Sequence, residues 1–217
     1  MVSTEARSIS NRPSSDAIAQ RILASAKDEF AQFGYEGARM QRVADRAGVP
    51  KPNIHYHYKS KRRLYLAVLE TTIESWNRAF DDVDPEANPA EVLEAFIRDK
   101  LSQAQQDPAA SRVFANEMIQ GAPNLNTYLH TDMQAWLQTR TAVIRQWMDQ
   151  NKMQKVDPER LIFLIWAATQ HYADFQVQAL ALLNRAQFNE QVATETADFL
   201  VSFILRGCGL SSERTNT

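Results

Sequence analysis

The chain has 217 residues, of which 44% are hydrophobic and 23% are charged, a composition typical of a globular protein and not of a disordered one. It contains only 6 glycines and lacks alternating apolar runs bounded by hairpin signals, so the sequence predicts an all-α fold. The single cysteine excludes an internal disulfide and a cysteine-based zinc cluster; with no signal-peptide core and no apolar run long enough for a bilayer, we expect a cytoplasmic protein.

Positive charge is concentrated near the N-terminus. Residues 1–63 contain 12 Lys and Arg against 6 Asp and Glu, whereas residues 64–217 contain 12 against 20. The small net charge of -2 therefore hides a basic first quarter and an acidic remainder. This asymmetry indicates that only one end of the protein meets a polyanion.

The chain begins with a segment that has no periodic apolar residues, and we expect a flexible arm over residues 1–13. From Asp16, apolar residues recur every three to four positions and predict an amphipathic helix that ends at Gly34. A short helix is predicted from Met40 to Arg46. The basic unit therefore opens with one long and one short helix.

A turn and a third helix follow. Gly48 ends the short helix, and Pro50 and Pro52 stand in the cap and first turn of the next helix, where a missing N–H carries no penalty. Two short helices joined by a tight turn with glycine form a helix-turn-helix, whose second helix can lie in the major groove of DNA. We therefore predict a DNA-binding domain over residues 14–60.

The third helix separates inward from outward side chains. Ile54 and Tyr58 are four residues apart and are predicted to face the interior. The outward positions carry groups that can bond base edges or phosphates, namely Lys51, Asn53, His55, Tyr56 and His57. The alternative to a DNA-contacting face is an ordinary basic surface that is solvated and binds no partner. The turn, the inward pair and the charge asymmetry together favour double-stranded DNA as the partner.

The remaining two thirds are predicted to be helical, over residues 61–217. Ser60 is the expected N-cap of a long helix that reaches Phe80, and an acidic, proline-bearing loop follows. Periodic apolar residues then predict helices from about Val92 to Asp107 and over 109–120, 124–150, 158–183 and 188–206. The total is about nine helices.

The segment from Phe30 to Val68 contains FGYEGARMQRVADRAGVPKPNIHYHYKSKRRLYLAV and resembles the DNA-binding region of the TetR family of bacterial transcriptional regulators. The resemblance implies base or phosphate contacts at Asn53, His55, Tyr56, His57 and Lys61. It also implies that the rest of the chain is a ligand-binding and dimerisation domain and that the protein is a homodimer.

Two positions depart from the family pattern. Arg39 stands where a threonine often caps the first short helix, and Pro50 stands where a serine often caps the second. We expect Arg39 to add a phosphate contact in place of the cap.

The C-terminal segments SRVFANEMIQGAP and DPERLIFLIWAATQHYADFQVQ are similar to one branch of that family, the pyrimidine-utilisation (Rut-type) repressors. The resemblance implies an effector such as uracil or thymine and places Trp76 and Trp166 in its pocket. Gln170 lies one helical turn after Trp166, and its amide can both donate to and accept from a flat polar ring. Asn116 and Glu117 are further pocket candidates.

Other interpretations remain open for these residues. Either tryptophan can instead be ordinary core packing, and Glu117 an exposed helix residue. His171 and Asp174 are spaced to share a metal, but no third ligand follows at helical spacing, and a histidine satisfied by protein neighbours is the alternative. We find no nucleophile setting and no phosphate-binding glycine loop, so we expect neither an enzyme nor a cofactor.

The alternatives for function come from different classes. One is a TetR-type regulator of another small aromatic ligand, and another is a helical small-molecule binding protein without specific DNA binding. A third is an architectural DNA binder, which would have no use for the acidic C-terminal domain. We predict dimerisation through the last two long helices, whose apolar stripes contain Leu180, Leu183, Phe199, Val201 and Ile204.

Overall fold

The computed structural model describes residues 14–211, and within that span every regular element is helical. The predicted arm over residues 1–13 lies outside the described residues. The elements in chain order are α1 (Ser15–Gly37), α2 (Met40–Ala47), α3 (Lys51–Tyr58), α4 (Lys61–Asn77) with a 3-10 turn (Arg78–Phe80), α5 (Pro89–Gln106), α6 (Pro108–Ile119), α7 (Asn126–Tyr128) with a π-helical turn (Leu129–Met133), α8 (Gln134–Asp149), α9 (Pro158–Asp174), α10 (Gln176–Leu182) and α11 (Glu190–Gly207). The prediction of an all-α fold is confirmed.

The chain divides into two compact units, one ending at Tyr65 and the other beginning at Leu66. In the first unit α1 packs against α2 and α3. Fully buried side chains from each helix form its core: Ile22, Ala26, Phe30, Val43, Ala44, Ile54 and Leu64. The core fixes the direction in which α3 presents its remaining face.

Local chemistry accounts for the ends of the first helices. The Ser14 side chain accepts from the amide of Ala17 and caps α1. Gly34 interrupts the helical backbone of α1 with a φ of 66° and a ψ of 178°, a conformation that only glycine adopts readily. The predicted end at Gly34 is thus a break in the helix, after which helical structure continues to Gly37.

The turn between α2 and α3 has the predicted form. Gly48 adopts a left-handed conformation with a φ of 62° and a ψ of 41°, and its N–H caps the last carbonyls of α2. Pro50 is the N-cap of α3, and Pro52 follows in its first turn, where its missing N–H breaks no helical hydrogen bond. Ser60 caps α4 as expected, because its hydroxyl accepts from the amide of Arg63 at 3.2 Å.

In the second unit α5 packs against both α9 and α11. The core between them includes Phe96, Ile97, Ile162, Ile165, Val201 and Ile204. Trp147 from α8 is fully buried, and its indole N–H donates to the carbonyl of Pro85 at 2.9 Å. The acidic loop after α4 is therefore anchored to the core through its backbone. Among the described residues, no helix is long and apolar enough to cross a membrane.

Two predicted helices are divided in the structure. The helix expected over 124–150 begins at Asn126 and contains a π-helical turn, while the helix expected over 158–183 is broken at Phe175. Neither break has a proline or glycine to signal it. At Phe175 the backbone leaves the helical region with a φ of -114°, and its ring stacks on His171 with 5.4 Å between ring centres. Periodicity cannot reveal a break that side-chain packing produces.

Candidate functional site

The outward face of α3 is the candidate DNA-reading surface. Ile54 is buried, and the Tyr58 hydroxyl donates to the carbonyl of Ala19 at 2.9 Å, so both inward predictions agree with the structure. Burial also raises the pKa of Tyr58. On the other side of the helix, the predicted contact residues Lys51, His55 and Tyr56 are exposed. The predicted contact residues Asn53 and His57 are half-buried.

The rings on this face contact one another. Tyr56 is 72% exposed, and its ring meets that of His57 edge to face at 5.1 Å. The His55 ring nitrogen Nδ1 lies 3.3 Å from the carbonyl oxygen of Lys59, the residue that ends the helix with a φ of 63°. These contacts hold polar groups at the surface, where they can meet base edges or phosphates.

Arg39 and Lys61 flank the helix differently. Arg39 is exposed and makes no side-chain cap, while its backbone N–H donates to the Glu29 carboxylate at 2.9 Å. Lys61 donates to the carbonyl of Glu36 at 3.1 Å, and its ammonium lies 4.9 Å from the centre of the Tyr35 ring. Arg39 is thus available at the surface, whereas Lys61 must leave two contacts within its own unit to reach a phosphate.

A buried carboxylate organises the base of this unit. Burial alone would raise the pKa of Glu29, but the Arg42 guanidinium at 2.6 Å and the Arg39 amide hold that pKa below its ordinary value, with Arg46 contributing. Arg42 also donates to the carbonyl of Gly37 at 2.9 Å. Arg42 therefore has a structural role, and the exposed positive charge near α3 comes from Lys51, Lys59, Arg62 and Arg63.

In the second unit, Trp76 and Trp166 lie around one lysine. Trp76 is buried, and its ring meets Phe114 edge to face at 5.2 Å. The Lys100 ammonium lies 4.5 Å from the centre of the Trp76 ring and 6.0 Å from that of Trp166. The two indoles are therefore no further apart than the sum of these distances.

The indole N–H of Trp166 is buried and has no hydrogen-bond partner among the described residues. Its neighbour Trp136, at 5.8 Å, instead donates to the Asp81 carboxylate at 2.7 Å. Buried polar groups are almost always hydrogen-bonded, and an exception requires an explanation. The Trp166 N–H is therefore a buried donor whose hydrogen bond the described residues do not supply.

Gln170 and Asn116, the two predicted amide residues, are both half-buried. Gln170 lies one turn after Trp166 on α9, while Asn116 lies on α6. Thr169, between the two α9 residues, is buried and donates back to the carbonyl of Ile165 at 2.7 Å. Its hydroxyl is thus satisfied within the helix, and Gln170 stays a predicted pocket residue.

Glu117 is committed to a loop. Its carboxylate accepts from the amide of Asn124 at 2.6 Å and from that of Leu125 at 3.1 Å, and its side chain is 1% exposed. The carboxylate thereby fixes the turn that precedes α7. The exposed-helix alternative does not hold, and a pocket role for Glu117 has to compete with these hydrogen bonds.

His171 and Asp174, considered as a metal pair, have other partners. His171 stacks on Phe175, and Asp174 accepts a hydrogen bond from Ser111. Burial raises the pKa of Asp174, opposed by the Ser111 hydrogen bond and by nearby positive charges that include Lys100. Across the described part of the chain no group of three or more potential ligands could hold a metal.

Lys100 is not among the site residues predicted from the sequence. It is 4% exposed, and burial, opposed by the charges of Asp99 and Asp174, lowers the pKa of its amine to about 7. The signal was present in the sequence, because Lys100 lies on the same face of α5 as the buried residues Phe96 and Leu101. A lysine within an apolar stripe is the pattern that identifies it.

The predicted dimer stripe is partly wrong. Val201 and Ile204 are buried in the core of their own unit, because they face α5. The exposed apolar rings of α11 are instead Phe199 and Phe203, which stack at 5.9 Å and are 61% and 64% exposed. Other exposed apolar side chains on α9 and beyond are Phe163, Leu164, Leu182 and Leu183. Leu164 and Phe203 line one surface cavity together, so exposed apolar side chains of α9 and α11 adjoin each other, as they do at protein interfaces.

Comparison with known proteins gives matches over both parts of the chain. The family described as "Bacterial regulatory proteins, tetR family" matches residues 22–68, and "YcdC-like protein, C-terminal region" matches residues 69–211. The HTH-type transcriptional regulator RutR of Escherichia coli (strain K12) is 37% identical over 186 residues, which cover 86% of this chain and 88% of that protein.

Solved structures show the same fold. The transcriptional regulator SCO4942 from Streptomyces coelicolor has a TM-score of 0.70 at 23% identity, over 89% of this chain and 99% of that one. A TetR-like transcriptional regulator from Rhodococcus sp. RHA1 has a TM-score of 0.63 at 20% identity, over 90% and 98%. With both family matches in chain order and a relative of this identity along most of its length, the chain belongs to the TetR family of bacterial transcriptional regulators.

Proposed function

We propose that this transcriptional regulator binds operator DNA as a homodimer and responds to a flat, pyrimidine-like effector such as uracil or thymine. We assign DNA binding to residues 14–60 and effector binding and dimerisation to residues 61–217. The protein works by binding and not by catalysis, and since its target is the chromosome of a bacterial cell, we place it in the cytoplasm. The buried, unpartnered N–H of Trp166 is the observation that carries the effector proposal.

On DNA, α3 lies in the major groove with Ile54 and Tyr58 directed into the protein. Asn53 and His57 contact base edges, because an amide and an imidazole can each donate and accept. The other proposed contacts are to the phosphate backbone and supply salt-dependent affinity: Arg39, Lys51, His55, Tyr56 and Lys61. A dimer places two such helices on two half-sites.

The effector ring stacks between Trp76 and Trp166, with Gln170 reading its edge. The Trp166 N–H gains an acceptor from the ring, which removes the cost of a buried unsatisfied donor. Asn116 and Glu117 contribute from α6, with Glu117 in the supporting role that its loop hydrogen bonds allow. Stacking and hydrogen bonding together favour a small planar ring that carries both N–H and C=O groups.

The response follows from a two-state equilibrium. Trp76 belongs to α4, the helix that runs from Lys61 to Asn77 and includes residues of both units. In one conformation of the dimer the distance between the two α3 helices does not match the distance between the two half-sites. An effector that binds more tightly to that conformation releases the operator. Linkage then requires DNA to weaken effector binding by the same factor.

The direct test combines calorimetric titration of uracil and thymine with operator binding measured by fluorescence anisotropy. We expect binding of one or both rings and a loss of operator affinity when the ring is present. A protein that binds operator but neither ring is a regulator of another small aromatic ligand. A protein that binds a ring but shows no sequence-specific DNA complex is a helical binding protein, and that outcome overturns the proposal.

A further inference from the structure

Lys100 lies in a position that is costly for a lysine. It is 4% exposed on the core side of α5, and removing an ammonium from water costs several kcal/mol unless charges and hydrogen bonds compensate. The acidic groups that face it are Asp99 and Asp174, and the second of these already accepts a hydrogen bond from Ser111. Burial outweighs these two charges, since the pKa of the amine is still lowered to about 7.

The neighbours of the amine are aromatic. The ammonium lies over the face of Trp76 at 4.5 Å, and the Trp166 ring is 6.0 Å away. Cation–π attraction offsets part of the burial cost, but a methionine would fill the same space without any charge to bury. A buried cation at this position thus adds little to the stability of the fold, which indicates a functional reason for it.

The amine of Lys100 and the indole N–H of Trp166 are both hydrogen-bond donors. An ammonium has three N–H donors and no acceptor, and an indole N–H is likewise donor only. The Lys100 ammonium lies 6.0 Å from the centre of the Trp166 ring, and the buried N–H of that ring has no partner among the described residues, so two donors are close together. The part of an effector that lies there has to be an acceptor, and in a planar heterocycle that acceptor is a carbonyl oxygen.

We propose that Lys100 is a specificity-determining residue of the effector site, which donates to a carbonyl oxygen of the bound ring and excludes rings with an amino group at that position. The inference rests on the proposed function, since it requires a ring between Trp76 and Trp166. It names the effector class more narrowly, as a ring with two carbonyl oxygens. An amino-substituted ring would place its own donors against those of Trp166 and of the charged form of Lys100.

The experiment compares uracil with cytosine by calorimetric titration near pH 6, below the pKa of about 7 at which Lys100 loses its charge. The proteins titrated are the full-length parent, Lys100→Met, Lys100→Gln and the control Lys155→Met, a change at an exposed lysine. In the parent we expect uracil to bind on the order of 100-fold more tightly than cytosine, because cytosine would leave the buried donors without an acceptor. Lys100→Met is expected to bind uracil about 10- to 100-fold more weakly with cytosine little changed, because only uracil uses the donor. Lys100→Gln retains part of the affinity for both, since an amide can turn to accept.

A second measurement separates recognition from packing. Near pH 8 the buried amine of the parent is largely neutral, since its pKa is about 7, and docking a carbonyl oxygen favours the ammonium. Titrations in buffers of different ionisation enthalpy should show proton uptake on uracil binding by the parent and by Lys155→Met. The uptake should be absent in Lys100→Met, where Asp99 and Asp174 remain unchanged.

The outcomes are distinguishable. If the parent binds neither uracil nor thymine, the pyrimidine proposal fails and this inference fails with it. If the parent binds uracil but Lys100→Met keeps the same uracil-to-cytosine ratio, or proton uptake persists in that variant, the role assigned to Lys100 is wrong and the proposed function stands.

Discussion

The hydroxyl of Tyr58 donates a hydrogen bond of 2.9 Å to the backbone carbonyl of Ala19, so the last turn of α3 is tied to α1. Tyr58 is followed by Lys59, whose positive φ of 63° ends the helix. The orientation of the DNA-reading helix thus depends on one polar contact in addition to the buried side chain of Ile54.

Replacing Tyr58 with Phe removes this hydrogen bond and leaves the carbonyl of Ala19 without that donor. We expect the free energy of unfolding to fall by about 1 kcal/mol, as is usual for one such bond. Denaturant titration measures the loss, and Tyr56→Phe is the matched control because Tyr56 is 72% exposed. Equal stability of the two variants would contradict a structural role for the Tyr58 hydroxyl.

Lys61 is proposed to contact phosphate and not a base. Lys61→Ala should weaken binding to all DNA sequences alike and flatten the slope of log K against log salt by about one unit per protomer. Operator and non-operator duplexes are titrated at several salt concentrations, with Lys155→Ala as the control. A changed sequence preference with an unaltered salt slope would assign Lys61 to base reading instead.

Gln170 gives the cleanest test of the effector pocket. Gln170→Leu should leave the fold intact but lower uracil or thymine affinity by roughly 1 to 3 kcal/mol, because the polar edge of the ring is then buried without a partner. Gln187→Leu, at an exposed loop position, controls for the chemical change itself. Equal ring affinity in the parent and Gln170→Leu at matched stability removes Gln170 from the site.

The exposed rings of α11 are expected to form the dimer interface. Phe203→Asp places a charge on this apolar surface and should shift the protein from dimer to monomer in sedimentation experiments at micromolar concentration. Ile119→Asp is the matched control, since Ile119 is 80% exposed on α6. A parent that sediments as a monomer with and without DNA would contradict the dimer itself.

Lys100 predicts a pH-dependent stability. Burial lowers the pKa of its amine to about 7 from an ordinary value of 10.5, so between these values the unfolded chain binds more protons than the folded one. Stability of the parent therefore rises with pH from about 7 to 10.5, is lost as pH falls through this window, and changes no further on this account below about pH 7.

The variant Lys100→Met lacks this effect and should be the more stable protein at low pH. Its advantage should shrink by roughly 2 to 3 kcal/mol between about pH 6 and about pH 9, as measured by urea unfolding of both proteins. Asp99 and Asp174 are present in both proteins, so the pH dependence of the difference in stability comes from the lysine alone. A constant difference across the pH range would show that the amine titrates normally.

The sequence by itself determined the helical class and the helix-turn-helix. Gly48, Pro50 and Ser60 act on backbone groups within one turn of themselves, so the bounds of α2, α3 and the start of α4 could be predicted closely. The period of apolar residues likewise identified the inward side of α3, because Ile54 and Tyr58 need only a helix to share a face.

The tertiary structure decided how distant segments meet. Trp76, Lys100 and Trp166 come from three helices, and no local pattern shows that the lysine ammonium lies within 6.0 Å of both ring centres. On α11, Val201 is buried and Phe203 exposed, because the side of the helix that contacts α5 is set by packing. Helix ends follow from chemistry within a turn, whereas burial depends on neighbours far away in the chain, and that difference separates what could be predicted from what the fold alone determines.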